Sequence, residues 1–510
     1  MEQITLFPIE DKIEDEIDCR NYIVDQFSAD GVCDETHRQE LEQKYTQILS
    51  VTTKFDRRSV SYQLSKKDKL HSWLKYKEGF SADLVNILLD DMEAQPGDLV
   101  MDPFMGSGTT ALVCQMRGIN SIGFDIMPIS AVSIKAKANV MKYDINEIKE
   151  MHQAFSQLEL PEDYSRTTPY ITITDTAYPE FNEKFIQYAT EWIEGSHFSD
   201  IAKNLFVLCM VNSLERCSYT WKSGQYLSWD SRSKKVQRAN ASREEAGKKL
   251  LPEQQVRDDI ENIQDAVKAE LAHVIADITA IQAQGVQDVN AGIDFRQNSV
   301  LFELPTLHEN ILKGVITSPP YCNRYDYTRT YALELVYLGL GEQQIKQMRQ
   351  DLLSCTVESK PKIDVLRDFY SSIGASDRFE SILQTIEDNK AFQEIRRALA
   401  KRKDAGELNN NGVIRMVEGY FTELAFIYAE LYRICKPGAL VAFVNDNVRY
   451  GGEVIPVDFL STSFAEQFGF IPEKVYCLRQ QKGNSSQQMK KYGRVALRKS
   501  ITIWRKPKEA

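Results

Sequence analysis

DLVMDPFMGSGTTALVCQMRGINSIGFDI, residues 98–126, decides the fold. Leu99 to Phe104 is a short apolar run that closes on Asp-Pro, the mark of a buried strand. Gly106-Ser107-Gly108 then turns the chain into a helical stretch that stops at Gly118. Residues 121–126 read as a second strand. Strand, helix and strand in this order make a βαβ unit in a parallel sheet. Upstream, FSADLVNILLDDM (80–92) is a helix with Ser81 as its N-cap, followed by the turn QPGD (95–98). Downstream, the sheet pattern returns at GVITSPPY (314–321), ALVAFVND (439–446), EKVYCLR (473–479) and SITIWRK (500–506). A helix over 418–435 ends at the breakers Lys436-Pro437-Gly438. The fold expected is α/β: one doubly wound domain with a mainly parallel sheet, interrupted by helical insertions.

The organisation that follows has four parts. Residues 1–60 form an acidic N-terminal segment with no recognisable chemistry. Residues 61–139 hold the first half of the sheet domain. Residues 140–310 are a long, mostly helical insertion broken by the polar stretch CSYTWKSGQYLSWDSRSKK (217–235). Residues 311–510 complete the sheet and carry a charged helical insertion at about 340–412.

Two places carry chemistry. The first is Asp102-Pro103-Phe104-Met105-Gly106-Ser107-Gly108-Thr109-Thr110. A glycine turn between strand and helix lets a ligand approach the backbone and aims a helix N-terminus at it. The next strand ends in Asp125, where a carboxylate commonly takes two ribose hydroxyls. A nucleoside-containing cofactor is implied. The second is Ser318-Pro319-Pro320-Tyr321, at the end of the strand that starts near Gly314. The prolines hold the backbone extended and leave carbonyls free to accept hydrogen bonds from an amine. Tyr321 offers a ring for stacking, which suits the exocyclic amino group of a base extruded from a duplex.

DPFMGSGTT, FDI and TSPPY together resemble the amino-group DNA methyltransferases that use S-adenosyl-L-methionine. The resemblance covers roughly 61–135 and 311–506 and implies a Rossmann-like methyltransferase fold. It places Phe80 and Ser81, in LHSWLKYKEGFSADLV (70–85), at the methionine end of the cofactor. Asp102, Pro103 and Phe104 lie near the same end, Gly106, Ser107, Gly108 and Thr109 line the cofactor, and Asp125 takes its ribose. An acidic or polar residue near the adenine is also implied. In AGIDFRQNSVLFELP (291–305) both Asp294 and Asn298 are placed to serve, with Asn298 carried as the candidate. Ser318 and the Pro319 carbonyl hold the target amine, with Pro320 behind them and Tyr321 stacked on the base. In this family a serine in the first position goes more often with cytosine N4. That makes a site-specific cytosine-N4 methyltransferase of a restriction-modification or phage-defence system the expected activity. Adenine N6 in DNA, or guanine N2 in RNA, is the alternative. Cys322 follows the tyrosine rather than a proline and reads as structural.

The chain carries 62 Lys+Arg against 73 Asp+Glu, a net charge of −11. That balance argues against a nucleic-acid partner until its distribution is read. The first 50 residues hold most of the local acid excess. Residues 213–250 and 475–510 are both basic. An acidic protein with two basic stretches can still present a positive face to double-stranded DNA. Residues 140–310 lie between the two motifs, where target recognition is expected. Lys222 and Arg232, with Tyr219, Trp221, Tyr226 and Trp229 around them, are the first candidates for DNA contact. Arg324 and Arg329 just after the tetrapeptide, and Lys482 in the loop 480–496, are the others. No nuclease motif is evident, so a separate restriction endonuclease is the expected partner. Nine scattered cysteines and six scattered histidines predict reduced thiols and no metal. An acidic N-terminus and the lack of any 18-residue apolar run predict a cytoplasmic protein with no membrane span.

Overall fold

The computed structural model describes residues 22–165, 169–223, 226–251, 259–284, 291–478 and 491–508. Its framework is one eight-stranded sheet. In chain order the strands are β1 (Leu49–Val51), β2 (Leu99–Asp102), β3 (Asn120–Phe124), β4 (Ile293–Arg296), β5 (Leu312–Thr317), β6 (Cys435–Asp446), β7 (Ile471–Leu478) and β8 (Lys499–Arg505). They lie in the order β1-β7-β8-β6-β5-β2-β3-β4. Every pairing is parallel except those of β8, which runs antiparallel to both neighbours. This is the α/β, Rossmann-like methyltransferase architecture with a mainly parallel sheet. The strand order reverses between β2 and β5, so their carboxyl ends open the crevice in which such sheets bind ligands.

Side-chain alternation along each strand feeds two cores. Val100, Ile316, Ala442 and Val444 point to one face, where they meet α1 (Ala82–Asp91) and α2 (Thr109–Met116). The Ser81 hydroxyl caps α1 by accepting from the Leu84 N–H at 3.3 Å. The 61–139 half ends with α3 (Pro128–Ala138), which opens on a proline whose missing N–H costs nothing at a first helical position. In the helical insertion, α4 (Lys234–Glu245) follows a two-stranded hairpin, Thr220–Ser223 with Tyr226–Trp229. On the other sheet face Met101, Val315, Val441, Phe443 and Trp504 meet α5 (Gly412–Ile434) and α6 (Val457–Gln467).

Two expectations shift. The Lys436-Pro437-Gly438 stretch does not separate helix from strand. β6 begins at Cys435 and carries those residues as an irregularity opposite Lys313, with Gly438 at φ +82°. From residue 22 on, the N-terminal segment is joined to the rest of the fold. β1 forms the sheet edge beside β7. Arg38 is buried between Glu394 and Glu453 at 2.8 and 2.9 Å, and Arg498 between Glu42 and Asp458 at 2.7 and 2.6 Å. Part of the early acid excess therefore compensates buried arginine in the late half of the chain.

Candidate active site

Both motifs end neighbouring strands, and a buried hydrogen bond joins them. Thr317 Oγ1, the last residue of β5, donates to Asp102 Oδ1 at 2.6 Å; the Phe104 N–H donates to the same oxygen at 3.1 Å. Asp102 and Thr317 are 1% and 0% exposed. Burial pushes the Asp102 carboxyl up to about 6 against the opposing pull of these donors.

The glycine loop is folded onto Asp125. The Gly106 N–H donates to Asp125 Oδ2 at 2.9 Å and the Met127 N–H to Oδ1 at 2.7 Å. Gly106 and Gly108 sit at φ +50° and +87°, a region costly for side-chain-bearing residues. A Cβ on Gly108 would stand 2.6 Å from Ile134 Cγ1, so only glycine fits against α3. Asp125 is half-buried, and desolvation raises its carboxyl to about 6.

These parts surround one cleft that opens to solvent. Phe80, Pro103, Phe104, Ser107, Thr109, Asp125 and Asn298 line it on one side, with Ser318 and Pro320 from the tetrapeptide on the other. Ser81, Asp102, Gly106, Gly108 and Pro319 adjoin these lining residues in the chain. Of the two polar candidates before β5, the cleft wall holds Asn298; Asp294 pairs instead with Arg296 at 2.9 Å. Tyr321 also lies off the wall. Its hydroxyl accepts from Ser318 Oγ at 3.1 Å, and Lys499 Nζ sits 5.0 Å from its ring centroid. Cys322 is fully buried, its thiol pushed well above the ordinary range by desolvation.

Several lining residues carried no readable signal. Tyr76 and Glu78 lie in the same 70–85 stretch as Phe80, and Tyr331 binds both, by stacking at 5.3 Å and by a 2.7 Å hydroxyl–carboxylate bond. Tyr327 and Asp351-Leu352-Leu353 reach the cleft from the segment after the tetrapeptide. No local pattern marks them, because their place is set by tertiary packing alone.

Lys137 is the unusual group beneath the loop. It is fully buried, and its ammonium donates to the Ser107 carbonyl at 3.3 Å. Burial lowers it to about 7. An unfolded lysine keeps its proton up to 10.5, so the unfolded state binds more protons between pH 7 and 10.5 and this site adds stability as pH rises through that window. Lys137→Met removes the dependence. Its advantage over wild type in urea unfolding should narrow by a few kcal/mol from pH 7 to pH 10. A constant gap would show that folded Lys137 keeps its proton across this range, as an ordinary lysine does.

Comparison with known proteins settles the class. A family model described as a DNA methylase of the N6/N4 type matches residues 20–134. The type II methyltransferase M.BsoBI of Geobacillus stearothermophilus is 45% identical over 504 residues, spanning 99% of each chain. The type II methyltransferase M.AvaI of Anabaena variabilis is 35% identical over 515 residues, 99% of this chain and all of its own. The chain belongs to the type II DNA amino-methyltransferases. No solved structure matches.

Methyltransferases of this family use S-adenosylmethionine, and the cleft residues fit it. A carboxylate with lone pairs left at the end of β3, a glycine cradle that admits no Cβ, and an apolar wall at Phe80 and Phe104 are what a nucleoside bearing an amino-acid tail needs. Among the described residues, no cluster of metal-ligating side chains is found and no helix is long and apolar enough to cross a membrane.

The DNA-contact candidates of this methyltransferase fare unevenly. Lys222 is a correction. It is buried, with its ammonium 2.6 Å from Glu334 and 4.1 Å from the Tyr331 ring centroid, so it braces the hairpin against the cleft wall and cannot reach a phosphate. Arg232 is exposed and paired with Asp230 at 2.7 Å. Arg329 is held by Asp326 and Glu358. Arg324, at φ +69°, donates to Asn409 at 3.1 Å. Lys482 lies outside the described residues.

Proposed function

We propose that this type II methyltransferase methylates the exocyclic N4 of a cytosine flipped out of double-stranded DNA. The observation that carries the reading is Ser318 at the cleft wall, where a hydroxyl replaces the carboxylate or amide that goes more often with adenine. When bound, S-adenosylmethionine supplies an electrophilic sulfonium methyl. The chain's own part is to aim the amine. The Ser318 hydroxyl and the Pro319 carbonyl accept its two N–H bonds, which turns the nitrogen lone pair towards the cofactor side of the cleft. As the N–CH₃ bond forms and the S–CH₃ bond breaks, the extra proton leaves the nitrogen for solvent. Asp102 is not its acceptor, because that carboxylate is sealed behind Thr317. Positioning and hydrogen-bond acceptance supply the rate. Tyr321 turns from its Ser318 contact to stack on the base. A separate endonuclease with the same target is the partner this reading implies.

The test incubates purified protein with methyl-labelled S-adenosylmethionine and unmodified bacterial genomic DNA, then identifies nucleosides by mass spectrometry. N4-methylcytosine is expected, falling about 10²-fold in Ser318→Ala. N6-methyladenine would overturn the choice of base.

A further inference from the structure

The basic stretch 213–250 divides in the structure. Its first part, the hairpin, is turned inward: Lys222 is committed to Glu334, and the strand Tyr226–Trp229 packs on Tyr327–Thr330, whose Tyr327 lines the cleft. Its second part, α4, is the opposite. α4 has no buried residue over its 12 positions. It leaves the hairpin through Asp230 and Ser233, whose hydroxyl caps it by accepting from the Val236 N–H at 3.3 Å. One side is moored. Lys235 lies 4.4 Å from the Trp229 ring centroid and donates to the Thr172 and Ile173 carbonyls at 2.8 and 3.1 Å. The stripe Lys234, Gln237, Arg238 and Ala241, spaced i, i+3, i+4 and i+7, faces solvent. Just past the helix, Lys248 and Lys249 are exposed as well; the Lys249 carbonyl accepts from Arg243 Nε at 2.7 Å, which folds them back on α4.

A helix that buries nothing contributes little to the core and keeps its shape only through caps and moorings. Here those moorings hold Lys234 in the open, with Arg238 paired to Asp175 at 3.1 Å, while Lys248 and Lys249 stand exposed beyond Glu244 and Glu245. We propose that α4 and the turn after it grip the phosphate backbone of double-stranded DNA, with Lys234, Lys248 and Lys249 as the phosphate contacts. The proposal rests on the DNA-methyltransferase reading of the cleft and names the surface that presents its substrate. Phosphate contact by lysine releases counterions, so each one steepens the fall of affinity with salt by about 0.9 in the log–log slope.

The experiment measures duplex DNA affinity from 50 to 300 mM salt for wild type and for the triple variant Lys234→Gln, Lys248→Gln, Lys249→Gln, with a triple lysine-to-arginine variant as the conservative control. Cofactor affinity is measured alongside, to show that the cleft is intact. The expected result is a slope reduced by roughly 2–3 and affinity near 0.1 M salt lowered on the order of 10²-fold in the glutamine variant. The arginine variant should be restored and cofactor affinity unchanged. If wild type binds and methylates duplex DNA while the glutamine variant keeps the wild-type slope, the α4 proposal falls alone. If wild type binds only RNA, or no duplex at all, the proposal falls together with the reading beneath it.

Discussion

Asp102→Ala should lower kcat/KM for DNA methylation by about 10³-fold or more. Two effects act together. The variant leaves the Thr317 hydroxyl and the Phe104 N–H buried without an acceptor, at about 1–3 kcal/mol each. It also removes the side-chain tie beyond the ladder that pairs β2 with β5, which loosens the spacing between the glycine loop and Ser318. A displacement of about 1 Å at reacting groups costs on the order of 10²-fold by itself. Unfolding in urea should register the first effect as a loss of about 2–4 kcal/mol, and single-turnover methylation the second. Thr317→Val keeps the shape and removes one donor, so its loss should be several-fold smaller. If Asp102→Ala retained a tenth of wild-type turnover, the tie between the motifs would have no part in catalysis.

The second large effect is on cofactor affinity. Asp125 already holds the Gly106 and Met127 N–H groups, and its remaining lone pairs are the ones available to a ribose diol. Each hydrogen bond to a charged acceptor is worth about 1.5–3 kcal/mol, so Asp125→Ala should weaken S-adenosylmethionine by 10²-fold or more in calorimetry. The pH dependence has a definite sign. Burial raises this carboxyl to about 6. Hydroxyl donors favour its charged form, so binding expels a proton below that pH and wild-type affinity falls as pH drops from 7 to 5. The alanine variant should lose the Asp125 part of that fall. The same raised value means the folded state holds the proton more tightly than an ordinary aspartate at 3.8. Asp125 thus costs stability progressively as pH rises from about 4 to 6.

Local patterns spoke clearly where chemistry and geometry coincide. Gly106 and Gly108 were legible because a tight turn against α3 tolerates nothing else, and β2, β3 and β5 because strands buried on both faces read as unbroken apolar runs. Long-range features were silent. β1 hid inside the acidic N-terminal segment, since a three-residue edge strand has no period of its own. Lys222 was misjudged for a related reason. Charge and aromatic content promised a DNA surface, while Glu334, 112 positions away in the chain, turns the same lysine inward. Asp351 was invisible as a site residue because the segment that brings it to the cleft is distant in sequence, and Tyr76 and Glu78, though close to Phe80, carry no pattern that separates a lining residue from a packed one.

The placement of the N-terminal segment has a consequence for how the molecule is made. Ser28 hydrogen-bonds Glu453 across 425 positions, and Glu42 waits for Arg498. At ribosomal speeds of roughly 5–20 residues per second, the opening segment spends some 20–85 seconds without its mates. Through that interval Glu42 has no Arg498 to pair with. The sheet edge closes only after the last strands leave the exit tunnel, so a stalled or truncated translation product gains no modifying activity.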